Sequence, residues 1–155
     1  MNIADLLIID RISCDHEATS KKKALEALSA LLASETPDTS QDEIFDSLIS
    51  RERLGSTGLG HGVALPHARL PGQEKAIGAF VKLTQGVDFD AIDGLPTDLL
   101  FSLLVPDHFT DEHLNILAKL AEMFSDKDFC KQLRDSADSQ QLLNLISQYQ
   151  ASSAA

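Results

Sequence analysis

Residues 51 to 70 read Arg51-Glu-Arg-Leu-Gly-Ser-Thr-Gly-Leu-Gly-His-Gly-Val-Ala-Leu-Pro-His-Ala-Arg-Leu70, and this stretch decides how the rest of the chain is read. Four of the eight glycines lie within it, at Gly55, Gly58, Gly60 and Gly62. Glycine lets a backbone take positive φ or come close to another group. The run Val63-Ala64-Leu65 is suited to a sheet, and Pro66 should end pairing on that strand. The expected product is a histidine, His67, at a stiff strand end beside an amide-rich loop.

Upstream of that stretch, Ile3 to Leu7 is read as one helical turn and Arg11 to Asp15 as an edge strand. Ser20 reads as an N-cap for a helix carrying Ala24, Leu25, Leu28, Leu31 and Leu32, broken near Pro37. Ser40-Gln41-Asp42-Glu43 is a capping box. The helix it opens carries Ile44, Phe45, Leu48 and Ile49 on one face, and puts Arg51 in its last turn.

Downstream, Ala76 to Leu83 reads as a strand and Val87 to Phe89 as a second, shorter one. Leu99 to Val105 is almost unbroken apolar sequence, as in a central strand covered on both faces. Thr110 is expected to cap a helix with Leu114, Leu117, Leu120, Ala121 and Phe124 inward. Ser125 and Ser139 open two further helices, and residues 151 to 155 form a frayed tail. Helices bracket the strands on both sides in sequence, which implies one α/β domain over residues 1–150, a mixed sheet with helices on both faces.

Composition bounds the function. Twenty-four acidic against thirteen basic residues give a formal net charge of −11. Such a surface does not displace counterions from nucleic-acid phosphates, and an anionic membrane repels it. No apolar run approaches the ~20 residues of a membrane span. The N-terminus lacks the order of a signal peptide. Cys14 and Cys130 stand in no redox or metal spacing and read as buried free thiols of a reducing cytoplasm.

The alternate glycines at Gly58, Gly60 and Gly62 invite a nucleotide site, but a dinucleotide fingerprint needs a strand before them and a helix after. Here the order is helix, loop, strand, and a Gly-Lys-Ser/Thr ending is absent. Of the five histidines, His61, His67 and His113 stand open as a metal trio serving a hydrolase, although their spacing matches no standard ligand motif. His113 falls three residues after Thr110, where the positive end of a helix disfavours an imidazolium and attracts anions. If His67 and His113 meet across the sheet mouth, one ring can attack while the other holds an oxyanion, with Arg51 as a fixed charge beside them. Phosphoryl transfer onto histidine suits this set, because imidazole is a good nucleophile near neutral pH.

Together, Arg51-Glu52, Gly55-Ser56-Thr57-Gly58, Gly60-x-Gly62-Val63-Ala64-Leu65-Pro66-His67, Phe89-Asp90-Ala91-Ile92-Asp93-Gly94, Asp98-Leu99-Leu100-Phe101, Leu103-Leu104-Val105-Pro106 and His113-Leu114 resemble the IIA domain of the bacterial phosphotransferase system, fructose/mannitol type. The wording is most similar to its nitrogen-regulatory branch. The resemblance covers nearly the whole chain. It implies an α/β/α layered sandwich around a five-stranded mixed sheet and a phosphohistidine at His67, formed on Nε2. His113 would orient or stabilise the phosphoryl group and Arg51 balance its charge, beside a loop of Ser56, Thr57, Gly58, Gly60 and Gly62. The implied partners are a histidine phosphocarrier of the HPr or nitrogen-HPr (NPr) kind and regulated target proteins, in relatives concerned with potassium, nitrogen or carbon signalling. No cofactor or metal is implied. The role would be that of a cytoplasmic phosphocarrier and regulator rather than a turnover enzyme, with a sugar-specific IIA passing phosphate to a IIB domain as the alternative. His61 and Ala68 depart from the usual asparagine and glycine of relatives.

Overall fold

The computed structural model describes residues 3–34, 36, 39–108 and 111–154, with side chains as far as Tyr149. The expected helix break at Pro37 and the expected cap at Thr110 lie outside the described residues. Two short 3₁₀ turns, Ile3–Leu6 and Ile9–Arg11, lead into β1 (Ile12–His16). Then come α1 (Lys21–Ala33), α2 (Gln41–Leu54), β2 (Gly58–Gly60), β3 (Val63–Ala64), β4 (His67–Leu70), β5 (Ile77–Val87) and β6 (Thr97–Pro106). Three helices close the chain: α3 (Asp111–Phe124), α4 (Lys127–Arg134) and α5 (Ser139–Ala154). Residues 151–154, expected to fray, carry the helical backbone of α5.

The N-caps read from sequence form as expected for α1 and α2. Ser20 Oγ accepts from the Lys23 amide at 3.1 Å, and Ser40 Oγ from the Glu43 amide at 3.2 Å. The Ser40 hydroxyl in turn donates to Glu43 Oε1 at 3.3 Å, so the two side chains close the box directly. α4 is capped by Asp126, whose Oδ1 accepts from the Phe129 amide, while Ser125 bonds back to the Glu122 carbonyl. A carboxylate at the positive helix end explains why Asp126 takes this position.

The sheet order is β1-β5-β6-β3-β2, with β4 also on β6. β3 pairs parallel with Leu99 and Leu100, and β4 pairs parallel with Leu103 to Pro106. The two therefore lie end to end along one side of β6, and the sheet is five strands wide. β5 is antiparallel to β6 and parallel to β1, so the sheet is mixed. Val87, expected to open a separate strand, ends β5 instead and pairs with Thr97; a shift of register between Lys82 and Val87 absorbs the polar residues between them.

Alternation along β6 builds two cores. Leu99, Phe101, Leu103 and Val105 pack with α3, α4, α5 and the first 3₁₀ turn, while Leu100 and Leu104 pack with α1 and α2 on the other face. Phe80 stacks on Phe124 with ring centres 5.9 Å apart, joining β5 to α3. The inward stripe of α3 is His113, Ile116, Leu120, Met123 and Phe124, whereas Leu114, expected inside, is 61% exposed. That rotation turns His113 into the protein.

Candidate functional site

Pro66 breaks the stretch beside β6 into β3 and β4, and this break sets the site. His67 opens a strand rather than closing one: Pro66 offers no N–H, yet its carbonyl accepts from the Leu103 amide at 3.0 Å and pairing resumes at once. Leu65 lies between the two strands, and its carbonyl receives His67 Nδ1 at 2.8 Å. A carbonyl only accepts, so Nδ1 carries the hydrogen and the neutral ring presents a bare lone pair on Nε2. Period-two alternation sends Ala68 and Leu70 into the core under α1 and α2, and turns His67 and Arg69 to the opposite face.

On that face His113, on the third residue of α3, meets His67 edge-on, with ring centres 5.1 Å apart and planes at 78°. His113 is 4% exposed. Its Nδ1 accepts from Arg69 Nε at 3.0 Å, and its Nε2 is buried with no hydrogen-bond partner among the described residues. Burial, together with the positive charges of its neighbours His67, Arg69 and Arg51, pushes the His113 pKa down to about 4. Burial also lowers that of His67, aided by Arg51 and Arg69 and opposed by the Leu65 hydrogen bond and Glu52. Both rings are therefore neutral at pH 7, and the dominant cause is loss of water rather than the helix end.

Arg51, in the last turn of α2, lines the same open cleft as Asp46, Ser47, Ser50, His67, Arg69 and His113. One of its Nη1 hydrogens goes to the Gly55 carbonyl at 2.8 Å, which holds the guanidinium at the helix end. Next to it, Glu52 is buried and turned inward. Its carboxylate accepts from the Thr57 amide at 3.1 Å and from the Thr57 hydroxyl, and pairs with Lys21 Nζ at 3.0 Å. This knot pins the exit of α2 to the following loop.

The glycine loop is placed elsewhere. Ser56, Thr57, Gly58, Gly60 and Gly62 are absent from the lining of the histidine cleft. Ser56 Oγ donates to the Phe89 carbonyl at 2.7 Å, Gly58 approaches Ala91, and Gly60 approaches Asp93. Gly62 (φ +80°) and His61 (φ +56°) border a second cleft with Asp98 and Arg134. His61 thus lines a different cleft from His67 and His113, and no group of three metal-ligating side chains exists among the described residues. The left-handed backbone at His61 explains why asparagine suits this position, since it tolerates that conformation well.

Two contacts escaped the sequence reading: the Leu65 carbonyl and Arg69. Arg69 had a legible signal, because a residue two places from His67 on a strand shares its face. The Leu65 carbonyl had none.

The chain that builds this cleft has known relatives. A family model described as phosphoenolpyruvate-dependent sugar phosphotransferase system, EIIA 2, matches residues 5–149. The chain belongs to the EIIA 2 family. This EIIA is 45% identical over 127 residues to a nitrogen regulatory protein of Pseudomonas aeruginosa, covering 82% of each chain. It is 40% identical over 146 residues to one of Bradyrhizobium diazoefficiens, covering 94% and 95%. The crystal structure of the nitrogen regulatory protein IIA-Ntr from Neisseria meningitidis superposes on this EIIA with a TM-score of 0.88 at 42% identity, covering 93% and 98% of the two chains. Among its described residues, no helix is long and apolar enough to cross a membrane.

Proposed function

We propose that this EIIA is a regulatory phosphocarrier that takes a phosphoryl group on Nε2 of His67 from a histidine phosphocarrier protein of the HPr or NPr kind. The observation that carries this reading is the His67 Nδ1 bond to Leu65, which frees Nε2 beside a second neutral imidazole. The Nε2 lone pair forms the new N–P bond as the bond from phosphorus to the donor's ring nitrogen breaks. The electron pair of that broken bond stays on the donor imidazole, and His67 keeps its Nδ1 hydrogen on the Leu65 carbonyl. His113 gives an N–H to a phosphoryl oxygen, while Arg51 balances charge that is already present on the donor. The glycine loop acts at one remove, through Thr57 and Glu52, by holding the end of α2.

Its output is a change of partners. A phosphoryl group adds about −1.5 to −2 charge to the cleft at pH 7, weakening contacts that bury an apolar rim and favouring basic ones. Nitrogen-regulatory relatives at 40–45% identity support the regulatory reading over a sugar-specific IIA.

The deciding experiment supplies phosphoenolpyruvate, enzyme I and the carrier, and follows acid-labile label on the chain. Wild type should take up one equivalent and His67→Ala none. Label retained by His67→Ala, or rapid passage of label to a sugar IIB domain, would replace this reading.

A further inference from the structure

Arg69 lines the cleft and has no part in the transfer described above. Its Nε lies 3.0 Å from His113 Nδ1, and a guanidinium N–H donates and never accepts. His113 Nδ1 must therefore present its lone pair, and the single hydrogen of the neutral ring sits on Nε2. That nitrogen is buried, in a ring set edge-on to His67, with no acceptor among the described residues. A buried N–H without a partner is rare in a folded protein and points to a group that arrives later.

We infer that Arg69 is a positioning residue for phosphoryl transfer: it locks His113 in the Nε2–H tautomer, so the N–H that meets the phosphoryl oxygen exists before the group arrives. The inference rests on the reading of His67 as the acceptor. The opposite tautomer would set a lone pair against an oxygen that carries negative charge. Pre-set donors help because no reorganisation is left for the moment of reaction. The alternation of β4 that turns His67 into the cleft delivers Arg69 to His113 as well, so one short strand positions the nucleophile and fixes the hydrogen of its neighbour. A partner on one ring nitrogen generally decides which nitrogen of a histidine is protonated.

The test uses Arg69→Gln, Arg69→Lys and Arg69→Leu in the full chain, with nitrogen-15 NMR of the histidine rings and single-turnover phosphorylation. Glutamine carries its amide nitrogen the same number of bonds from the backbone as arginine Nε, and donates an N–H without the charge. Wild type and Arg69→Gln should show His113 protonated on Nε2, with transfer rates within about threefold of each other if the N–H rather than the charge matters. Arg69→Leu should shift protonation towards Nδ1 and slow transfer by about tenfold or more, the scale of a misplaced oxyanion donor. Because Arg69 is exposed, the fold should survive all three changes, which unfolding midpoints check. An unchanged His113 tautomer in Arg69→Leu overturns the inference. So does an Arg69→Gln rate as low as that of Arg69→Leu with Arg69→Lys restored, because charge would then be the cause. Absence of label on wild-type His67 overturns the functional reading and the kinetic half of this one, whereas the NMR result would still report the tautomer.

Discussion

The ring of His113 stands almost perpendicular to that of His67, their centres 5.1 Å apart, although 46 positions separate them in the chain. One ring is anchored by a backbone carbonyl and the other by a guanidinium, so neither turns freely. Most of the measurable behaviour of the site should follow from that pairing.

Transfer should depend on pH through the rings' protonation. Both histidines titrate below the ordinary 6.5, so the phosphorylation rate should be flat above neutrality and fall as pH drops through the lowered pKa of His67. A rate that rises on acidification from pH 7 to 5 would contradict the nucleophile being neutral His67.

Stability should follow the same groups in the same direction. A histidine whose pKa is lowered on folding binds more protons when unfolded, so stability is full above 6.5 and is lost as pH falls towards 4. The loss attributable to His113 is at most about 3 kcal/mol across that window. Urea midpoints at pH 7 and pH 4.5 measure it, and His113→Phe should show a smaller difference than wild type.

Replacing His113 should separate chemistry from packing. His113→Gln keeps an N–H donor and His113→Phe does not, while both fill the buried position. Transfer should slow by about tenfold to a hundredfold in His113→Phe and by less in His113→Gln, with unfolding midpoints checking that the fold is kept. Equal loss in both variants would argue that the ring matters by shape alone.

Glu52 should matter for stability. Glu52→Ala removes the acceptor of the Thr57 amide and hydroxyl and one of the two carboxylates beside Lys21, at a cost of about 1–3 kcal/mol, the scale of leaving a buried donor unpaired. Glu52→Gln should lose less, since the amide still accepts from Thr57. Chemical denaturation compares the two.

Gly62 and Gly72 offer a matched pair at nearly the same positive φ, +80° and +83°. A Cβ at Gly62 would meet Arg134 Nη2 and, at 2.8 Å, Asp98 Oδ1, whereas one at Gly72 meets nothing within 4 Å. Gly72→Ala should cost about 1 kcal/mol from strain alone, and Gly62→Ala clearly more, because it also disrupts the Arg134–Asp98 ion pair. Thermal melts of the two variants check the order.

Much of this molecule is legible in its sequence. Ser20 and Ser40 announced their helices because capping is local chemistry, and the run from Leu99 to Val105 announced a doubly covered strand because burial on both faces needs unbroken apolar sequence. Residue type, element ends and family resemblance single out His67, His113 and Arg51, and all three line one cleft. Leu114 misled, since a helix with apolar residues on several sides can roll by one position and still bury a stripe. Ser56, Thr57 and the glycines lie off the lining of that cleft. A loop rich in amides looks like an anion cradle in any sequence, and only its neighbours reveal that its hydroxyls and its tight turns serve Glu52, Phe89 and Asp93.

The chain's order of residues determined on its own which segments are helices, which strand is central, and which side chains have the chemistry to accept a phosphoryl group, because propensity, capping and periodicity act over a few neighbouring positions. Tertiary structure alone decided that Pro66 interrupts the pairing along β6 without ending it, that the Leu65 carbonyl takes the His67 hydrogen, and that Arg69 reaches His113. Those outcomes depend on which strand lies alongside β6 and how far α3 is rolled against the sheet, and both are settled by packing between segments that share no local signal.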